Sequence, residues 1–414
     1  MKDKSVLVIG GGVAGLCASV ELANLGIHVE LVEKSSFLGG HAIGYPCKAI
    51  GNTCVKCGAC MVEEKLQSAV SHPNIKMLTG SQAQKISKNH RFTASIRQEP
   101  LYIDFQKCTN CGLCLDRCPT DGAVLQGFSK NNIPFYAISE EKCLYLKDKS
   151  CSICRDECSE TAIDLDNEEL EHSIEADVVL IATGFKPFDP KDKPYGYGLF
   201  KNVVTGLDLE RMIKRTGCVK KPSDNKTPGQ IAFIQCVGSR DSKLNHLWCS
   251  KVCCSSALRM SRLIRERHPE TEITFFYMDV QTFGKDFEPF YEETQKEIRM
   301  IRAIPGDIYE TDEQHLKVNH IDNHSHKTLE EIFDLVVLSI GITPCEDIQT
   351  ISGLLGIEPD DTGFVKTDDK KTSASVNGVF AAGTVQGPMS IADTIASAGS
   401  AAWKIARYLG LNFS

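Results

Sequence analysis

The chain lacks the features that mark several large classes of protein. Its 46 basic and 54 acidic side chains leave a net charge of −8 over 414 residues, which does not favour binding to nucleic acid or to an anionic membrane surface. It has no run of about 18 apolar residues that would predict a transmembrane helix, and no secretory signal. We therefore expect a cytoplasmic chain with two or three domains.

Cysteine, in contrast, is abundant, with 19 in the chain. In the absence of a signal, this number indicates a reducing compartment and metal ligation rather than disulfides. The sequence CTNCGLCLDRCP at 108–119 has the spacing of bacterial ferredoxins. In those proteins three thiolates bind one [4Fe–4S] cluster and the fourth binds a second cluster.

A second half-motif at 143–158 keeps the x2 and x3 spacings, although Cys143 lies further upstream and Ser159 replaces the usual proline. Zinc ribbons also use CxxC pairs, but they do not need eight cysteines in this crossed pattern. We therefore predict an inserted domain at 101–163 that binds two clusters. The ligands of the first are Cys108, Cys111, Cys114 and Cys158, and those of the second are Cys118, Cys143, Cys151 and Cys154.

The first 33 residues predict a strand, a glycine-rich turn, a helix and a second strand. The apolar run SVLVI precedes GGGVAG at 10–15, and the strand HVELVEK reaches Glu33. The glycines permit a tight turn and let the backbone approach a pyrophosphate at the start of the helix. Glu33 is placed to accept hydrogen bonds from ribose hydroxyls, so the order of elements predicts a dinucleotide site.

Three further stretches favour FAD over NAD at this site. The pair Gly39-Gly40, the sequence VVLIATG at 178–184 and the sequence GVFAAGT at 378–384 resemble FAD-dependent proteins of the disulfide-reductase class. That class has an aspartate where this chain has Thr384. His41 is either a neighbour of the flavin phosphates or incidental. The predicted cofactor-binding residues are Gly10, Gly12, Val13, Ala14, Gly15, Glu33, Lys34, Gly40, His41, Ala182, Thr183, Gly184, Gly383 and Thr384.

The sequence CKAIGNTCVKCGAC at 47–60 contains another set of closely spaced thiols. Cys54, Cys57 and Cys60 have cluster spacing, and Cys47 is our candidate for the fourth ligand, although a partner subunit could supply it instead. Free or zinc-binding thiols are the alternative interpretation.

A second α/β unit at 201–345 lacks the glycine fingerprint that would bind NAD(P)H. After the strand IAFIQ, the chain continues with CVGSR at 236–240 and then reaches Cys249, Cys253 and Cys254. A nicotinamide dinucleotide would have no pyrophosphate cradle here. From spacing alone, Cys236 and the other three cysteines are compatible with a metal site or with structural thiols.

Taken together, these stretches resemble the HdrA family of heterodisulfide reductases. The resemblance is carried by VLVIGGGVAGLCASVELA, CTNCGLCLDRCP, AFIQCVGSRD, CSKVCC and FYMDVQTFGK, among others. It implies that Cys236, Cys249, Cys253 and Cys254 bind a [4Fe–4S] cluster. Longer members carry additional terminal domains, so we expect a short form.

The resemblance implies an oxidoreductase component in which FAD and clusters move electrons from a donor subunit to partner subunits of the B and C types. In some members the flavin bifurcates electron pairs, and a dimer of complexes is compatible with the family. Lys285 is either a residue that tunes the flavin or a plain loop lysine. Two other enzymes stay open: an NAD(P)H-dependent flavoprotein, and the A-type flavoprotein of quinone-interacting membrane-bound oxidoreductase. A protein that only conducts electrons past a structural flavin is the third alternative.

The expected fold is α/β. A Rossmann-like FAD domain of the thioredoxin-reductase type is formed by residues 1–100, 164–200 and 346–414. The ferredoxin domain is inserted within it, and residues 201–345 form the second, degenerate Rossmann-like domain with its cluster.

Overall fold

A computed structural model describes residues 4–281, 284, 287–323, 325–368 and 372–411. Lys285 lies outside the described residues, so its expected role in flavin tuning stays a prediction. Within the described part of the chain, no helix combines the length and the apolar character that crossing a bilayer requires.

A first parallel sheet is assembled from distant parts of the sequence. Its strands, numbered along the chain, are β1 (Ser5–Ile9), β2 (His28–Val32), β3 (Ile75–Leu78), β9 (Val178–Ile181) and β20 (Val379–Ala381). Their order is β20-β9-β1-β2-β3, and every pairing is parallel. The central strands consist of valine, leucine and isoleucine because both faces of the sheet are covered.

Alternate residues of these strands face two different layers. Val8 and Leu180 pack against helices, whereas Leu7 and Val179 pack against an antiparallel sheet. This antiparallel sheet has the order β4-β5-β8, with β4 (Ser81–Lys88), β5 (Phe92–Gln98) and β8 (Leu170–Ala176). The helices are α1 (Val13–Asn24), α2 (Ala59–Val70) and α10 (Ile391–Tyr408).

The connection between β5 and β8 forms a small lobe with its own core. Its elements are α3 (Leu113–Asp116), β6 (Val124–Gln126), β7 (Tyr136–Ile138), α4 (Leu144–Asp148) and α5 (Ile153–Asp156). An antiparallel bridge between Ile103 and Ile163 closes the base of the lobe. Its core combines apolar side chains with six of the ferredoxin-type cysteines, so the thiols form part of the packing.

A second parallel sheet repeats this layered design. Its strands are β11 (Val203–Thr205), β12 (Gln230–Val237), β13 (Glu272–Phe276), β14 (Arg299–Ile301) and β18 (Leu335–Ile340). They follow the order β11-β18-β12-β13-β14, again parallel throughout. Helices α6 (Gly206–Thr216), α7 (Cys253–Arg267) and α8 (Phe287–Glu297) lie on one side of it.

The other side of the second sheet is covered by three antiparallel strands. They are β15 (Asp307–Glu310), β16 (Leu316–Ile321) and β17 (Thr328–Phe333). The two halves are joined by a short antiparallel pair, β10 (Phe185–Pro187) with β19 (Ile342–Pro344). Helix α9 (Ile348–Leu355) then returns the chain to the core of the first half.

Candidate flavin and cluster sites

The turn after β1 is shaped so that only glycine fits at two positions. Gly10 has a φ of +109°, and a Cβ on it would lie 2.4 Å from the carbonyl oxygen of Ala182. A Cβ on Gly15 would lie 1.8 Å from the carbonyl oxygen of Gly10. Helix α1 begins at Val13, and no side chain caps its first N–H groups. These groups are therefore available to an anion such as a pyrophosphate.

The carboxylate of Glu33 is held beside this turn. One oxygen accepts a hydrogen bond from the backbone N–H of Gly11 at 2.6 Å. The other accepts from the backbone N–H and the hydroxyl of Ser35, at 2.8 and 2.7 Å. Each carboxylate oxygen has two lone pairs, so a correctly oriented acceptor remains for a ribose hydroxyl.

Predicted residues from other parts of the chain reach the same place. The backbone of Gly40 lies close to that of Gly12, since a Cβ added to Gly40 would be 3.1 Å from the Cα of Gly12. A Cβ on Gly383 would lie 2.7 Å from the Cβ of Ala14. Glycine at these positions lets three separated segments enclose the start of α1, which fits an extended dinucleotide.

Three other predicted residues, Gly184, His41 and Lys34, lie close to other parts of the protein. Gly184 lies near Thr384, whose hydroxyl oxygen would be 3.8 Å from an added Cβ. His41 Nε2 lies 3.3 Å from the carbonyl oxygen of Phe185, and burial lowers the pKa of His41, which favours the neutral ring. Lys34 Nζ forms an ion pair with Asp347 at 2.5 Å and is not a free phosphate ligand here.

The eight ferredoxin-type cysteines line two cavities in the inserted lobe. The larger, of about 420 Å³ with its opening to solvent, is lined by Cys108, Cys111, Cys114 and Cys158. The smaller, of about 350 Å³, is lined by Cys118, Cys143 and Cys151. Cys154 borders both cavities. The structure therefore separates the cysteines along the crossed pairing predicted from spacing.

The thiols in these cavities crowd one another. Burial, together with the neighbouring Cys154 and Cys108, raises the pKa of Cys114 to about 12. Burial likewise raises the pKa of Cys154 to about 11, with Cys143 as its strongest thiol neighbour. Four such thiolates need a positively charged group among them. The cavities fit [4Fe–4S] clusters, and among the described residues no group of three or more potential ligands closes on a single metal ion.

The loop at 54–60 has left-handed backbone at the same two positions as the first ferredoxin loop. Asn110 and Gly112 have φ values of +58° and +86°, and the matching Lys56 and Gly58 have +54° and +80°. A helix begins directly after each glycine. The backbone N–H of Lys56 also points at Cys54 Sγ, at 3.4 Å. This conformation fits a cluster-binding loop.

The exposure of this loop distinguishes it from the other sites. Cys54 and Cys60 are exposed and Cys57 is half-buried. Cys47 is also exposed, and its assignment as the fourth ligand stays a prediction.

The third group of cysteines meets where β12 ends and α7 begins. Burial raises the pKa of Cys236 to about 11, and Cys254 and Cys249 are its thiol neighbours. Burial also raises the pKa of Cys253, with the same neighbours and Cys236 around it. The backbone N–H of Lys251 points at Cys249 Sγ, at 3.3 Å, and Lys251 has a φ of +62°. This repeats the arrangement of Lys56 and Cys54.

The sequence analysis did not predict that a left-handed residue lies two positions after a ligand, at Lys56 and again at Lys251. The sequence CGxC, which 57–60 and 111–114 share, could have predicted it at Lys56.

The sequence analysis also missed the buried pair Lys48 and Glu210, whose charged atoms are 2.6 Å apart. No local pattern announces that contact, because the two residues come from different halves of the fold.

Comparisons with known proteins agree with this geometry. Residues 5–55 match the family described as FAD dependent oxidoreductase, and residues 101–122 match the family described as 4Fe-4S binding domain. The thioredoxin reductase of T. acidophilum has a similar fold, with a TM-score of 0.54 and 16% identity, covering 98% of this chain and 99% of that one. The predicted thioredoxin-reductase-type fold with a ferredoxin motif is thus confirmed.

Two curated relatives extend the similarity to nearly the whole chain. The A-type component of the H(2):CoB-CoM heterodisulfide,ferredoxin reductase of Methanothermobacter marburgensis is 35% identical over 427 residues, which cover 98% of this chain. An iron-sulfur component of the same type, from the CoB--CoM heterodisulfide reductase of Methanopyrus kandleri, is 36% identical and covers 97% of this chain. The chain spans 64% of the length of each of them.

The cofactors of this chain are therefore FAD and [4Fe–4S] clusters. The match of residues 5–55 lies on the glycine turn and Glu33, and that of residues 101–122 lies on the first ferredoxin half-motif. Over nearly its whole length, the chain is therefore similar to the A-type iron–sulfur components of heterodisulfide reductases.

Proposed function

We propose that this chain is the electron-transfer component of a heterodisulfide reductase-type complex. It would take electrons from a donor protein and pass them to a partner subunit that reduces the substrate. The observation that carries the proposal is the second parallel sheet. Where NAD(P)H would need glycines, four cysteines instead lie between the end of β12 and the first turn of α7. Electrons would therefore enter and leave through clusters.

Four clusters follow from this proposal: two in the inserted lobe, one at 54–60 and one at 236–254. When bound, FAD exchanges electrons singly or in pairs, whereas each [4Fe–4S] cluster carries one electron at a time. The protein's part is to hold the sites rigidly close to one another, and hydrogen bonds between the lobes support that role.

The inserted lobe is attached to the flavin-binding segment through its β6–β7 loop. The side-chain oxygen of Asn132 accepts from the backbone N–H of Leu38 at 2.6 Å, next to the predicted flavin glycines. Asn131 donates to Glu63 at 2.6 Å. Asn132 is buried, so this contact holds the inserted lobe against the flavin-binding segment.

The loop that contains Cys54 and Cys57 is attached to the second half. The backbone N–H of Gly51 donates to Glu266 at 2.6 Å, and Glu266 belongs to α7. The buried ion pair of Lys48 and Glu210 adds a second connection. These two contacts join the loop to the second half, which supports a role for it in electron transfer between the halves.

The test is the cofactor content and reduction behaviour of the anaerobically purified chain. We expect about 16 irons and 16 sulfides per FAD, and a flavin that dithionite reduces but NADH does not. About 8 irons would limit the clusters to the inserted lobe. Rapid reduction of the flavin by NADH alone would favour an NAD(P)H-dependent reductase and overturn the proposal.

Partner subunits would be sought by co-purification of the tagged chain from its native cells. We expect subunits of the B and C types to co-purify with it, together with an electron-donor subunit. We place the complex in the cytoplasm. Purification of the chain alone, fully loaded with cofactors and reducing a disulfide substrate unaided, would contradict this assignment.

A further inference from the structure

Helix α7 connects two of the proposed cluster sites. Cys253 and Cys254 form its first turn, and Arg259 follows five positions after Cys254. At 1.5 Å per residue, this corresponds to about 8 Å along the helix axis. The Nε of Arg259 donates to the carbonyl oxygen of Val55 at 2.9 Å. Val55 lies between the predicted ligands Cys54 and Cys57, so the guanidinium reaches the second site directly.

The charge of Arg259 is not neutralised by a carboxylate. Over the described ranges of the chain, no ion pair involves Arg259, and its guanidinium packs over the rings of Phe287 and Phe290, at 5.3 and 5.8 Å. Burial lowers the pKa of Arg259, whereas negative charge at Cys57 and Cys54, and more weakly at Glu210, acts in the opposite direction. The carboxylate of Glu210 forms its ion pair with Lys48 and not with Arg259. A partly buried cation without a carboxylate is costly unless another anion compensates it. The anion that this position offers is a thiolate-ligated cluster.

We propose that Arg259 is a positioning residue that raises the reduction potential of the cluster at 54–60. Reduction adds one electron and therefore one negative charge to the cluster. A fixed positive charge next to it stabilises the reduced form more than the oxidised form. The inference rests on the proposed cluster at this loop.

The chain provides a matched control on the next turn of α7. Arg262 also packs over Phe290, at 5.3 Å, but it forms ion pairs with Glu293 at 3.2 Å and Glu297 at 3.3 Å. Its charge is therefore already compensated. The Arg262→Gln substitution removes one positive charge from α7, as Arg259→Gln does. It leaves the cation of Arg259 in place next to the loop.

The experiment compares Arg259→Gln, Arg259→Lys and Arg262→Gln in the full chain, loaded with FAD and clusters. Each variant is poised at defined potentials and the reduced clusters are quantified by electron paramagnetic resonance. At the potential that half-reduces the 54–60 cluster in the parent, Arg259→Gln is expected to lower its reduced-to-oxidised ratio about tenfold, a shift of about 59 mV for one electron. The other clusters, the Arg259→Lys variant and the Arg262→Gln variant are expected to stay within a factor of two of the parent.

Iron content separates failure of this inference from failure of the proposed cluster. Parent protein with about 12 irons per FAD that loses no further iron in Cys57→Ser has no cluster at 54–60, which overturns the cluster and the inference together. A full complement of irons with an unmoved potential in Arg259→Gln overturns the inference alone.

If Arg259→Gln loses iron, Arg259→Lys decides the outcome. A fully loaded lysine variant with the parent potential supports the role of the charge. Loss of iron or a shifted potential in that variant would show that Arg259 only supports the loop through Val55, and the inference would be wrong.

Discussion

The two halves of the molecule have the same architecture but different chemistry at the same point. Each half has a five-stranded parallel sheet with helices on one face and three antiparallel strands on the other. In each, the central strand leads to the start of a helix that no side chain caps, α1 in the first half and α7 in the second. The topology therefore provides the same anion-binding position twice.

The residues in the turn decide which anion can bind at that position. In the first half, glycines bring the backbone close enough for a pyrophosphate, as the contact of Gly15 with Gly10 shows. In the second half, Cys236 lies at the end of β12, the longer connection carries Cys249, and α7 begins with Cys253. A thiolate-ligated cluster is also an anion, so the positive end of the helix can stabilise it in place of the phosphates. The comparison teaches that loss of a nucleotide motif need not mean loss of a ligand site.

The strongest way to break the comparison is to remove a ligand from the second half. In Cys253→Ser, we expect a loss of about four irons per chain with FAD unchanged, because the two anion sites are independent. Iron, sulfide and flavin assays measure this. Cys218→Ser is the control, since Cys218 contacts only its own turn around Thr216, and it should keep all its iron. Loss of FAD from Cys253→Ser would show that the two sites are coupled.

A second prediction concerns the buried ion pair that joins the halves. Lys48 and Glu210 are each 3% exposed, and Glu210 also accepts from Ser256 at 2.5 Å. In Glu210→Ala we expect the free energy of unfolding to fall by about 3–5 kcal/mol, because a buried ammonium is left unpaired. Denaturant titration measures this.

The double variant Lys48→Met/Glu210→Met tests the cause of that loss. Replacing both charges by apolar groups removes the unpaired ammonium, so we expect most of the stability to return. A double variant as unstable as Glu210→Ala would argue that the pair acts through its geometry and not through its charge.

The next effect is expected in the glycine turn of the first half. A Cβ in Gly15→Ala would lie 1.8 Å from the carbonyl oxygen of Gly10. The backbone must shift, and we expect the Kd for FAD to rise roughly a hundredfold, about 2.8 kcal/mol. Fluorescence titration of the flavin-free protein measures it.

Gly26 offers the matched control at the other end of α1. It has a φ of +79° with no atom within 4 Å of an added Cβ. Gly26→Ala should therefore lose about 1 kcal/mol of stability through backbone strain while keeping its affinity for FAD. An equal loss of FAD in both variants would point to general destabilisation of α1.

The smallest effect is expected at Glu33. In Glu33→Gln one oxygen remains to accept from Gly11, but the second carboxylate oxygen and the charge are lost. We expect the Kd for FAD to rise about tenfold, about 1.4 kcal/mol, in the same titration. Glu64→Gln, on the exposed side of α2, serves as the control. An unchanged Kd would mean that Glu33 only shapes the turn.

Much of the site was predictable because its motifs are short and local. The spacing of 108–119 predicts the shared ligation, and the glycines of 10–15 predict the dinucleotide turn, since each depends on neighbours within a few residues. The loop at 54–60 was predictable as a set of ligands. The left-handed backbone at Lys56 and Gly58 was not predicted, although Asn110 and Gly112 hold the matching positions in the ferredoxin motif.

The sequence by itself determined the cofactors, the type of fold and the grouping of the cysteines, because these depend on local spacing and on the hydrophobic pattern of single strands. Only the tertiary structure decided which sites become neighbours. Arg259 meets Val55 across 204 residues, and Asn132 meets Leu38 across 94. Contacts of this kind form when separate layers pack together. The energy that orders them comes from the whole core, so no local sequence pattern predicts them.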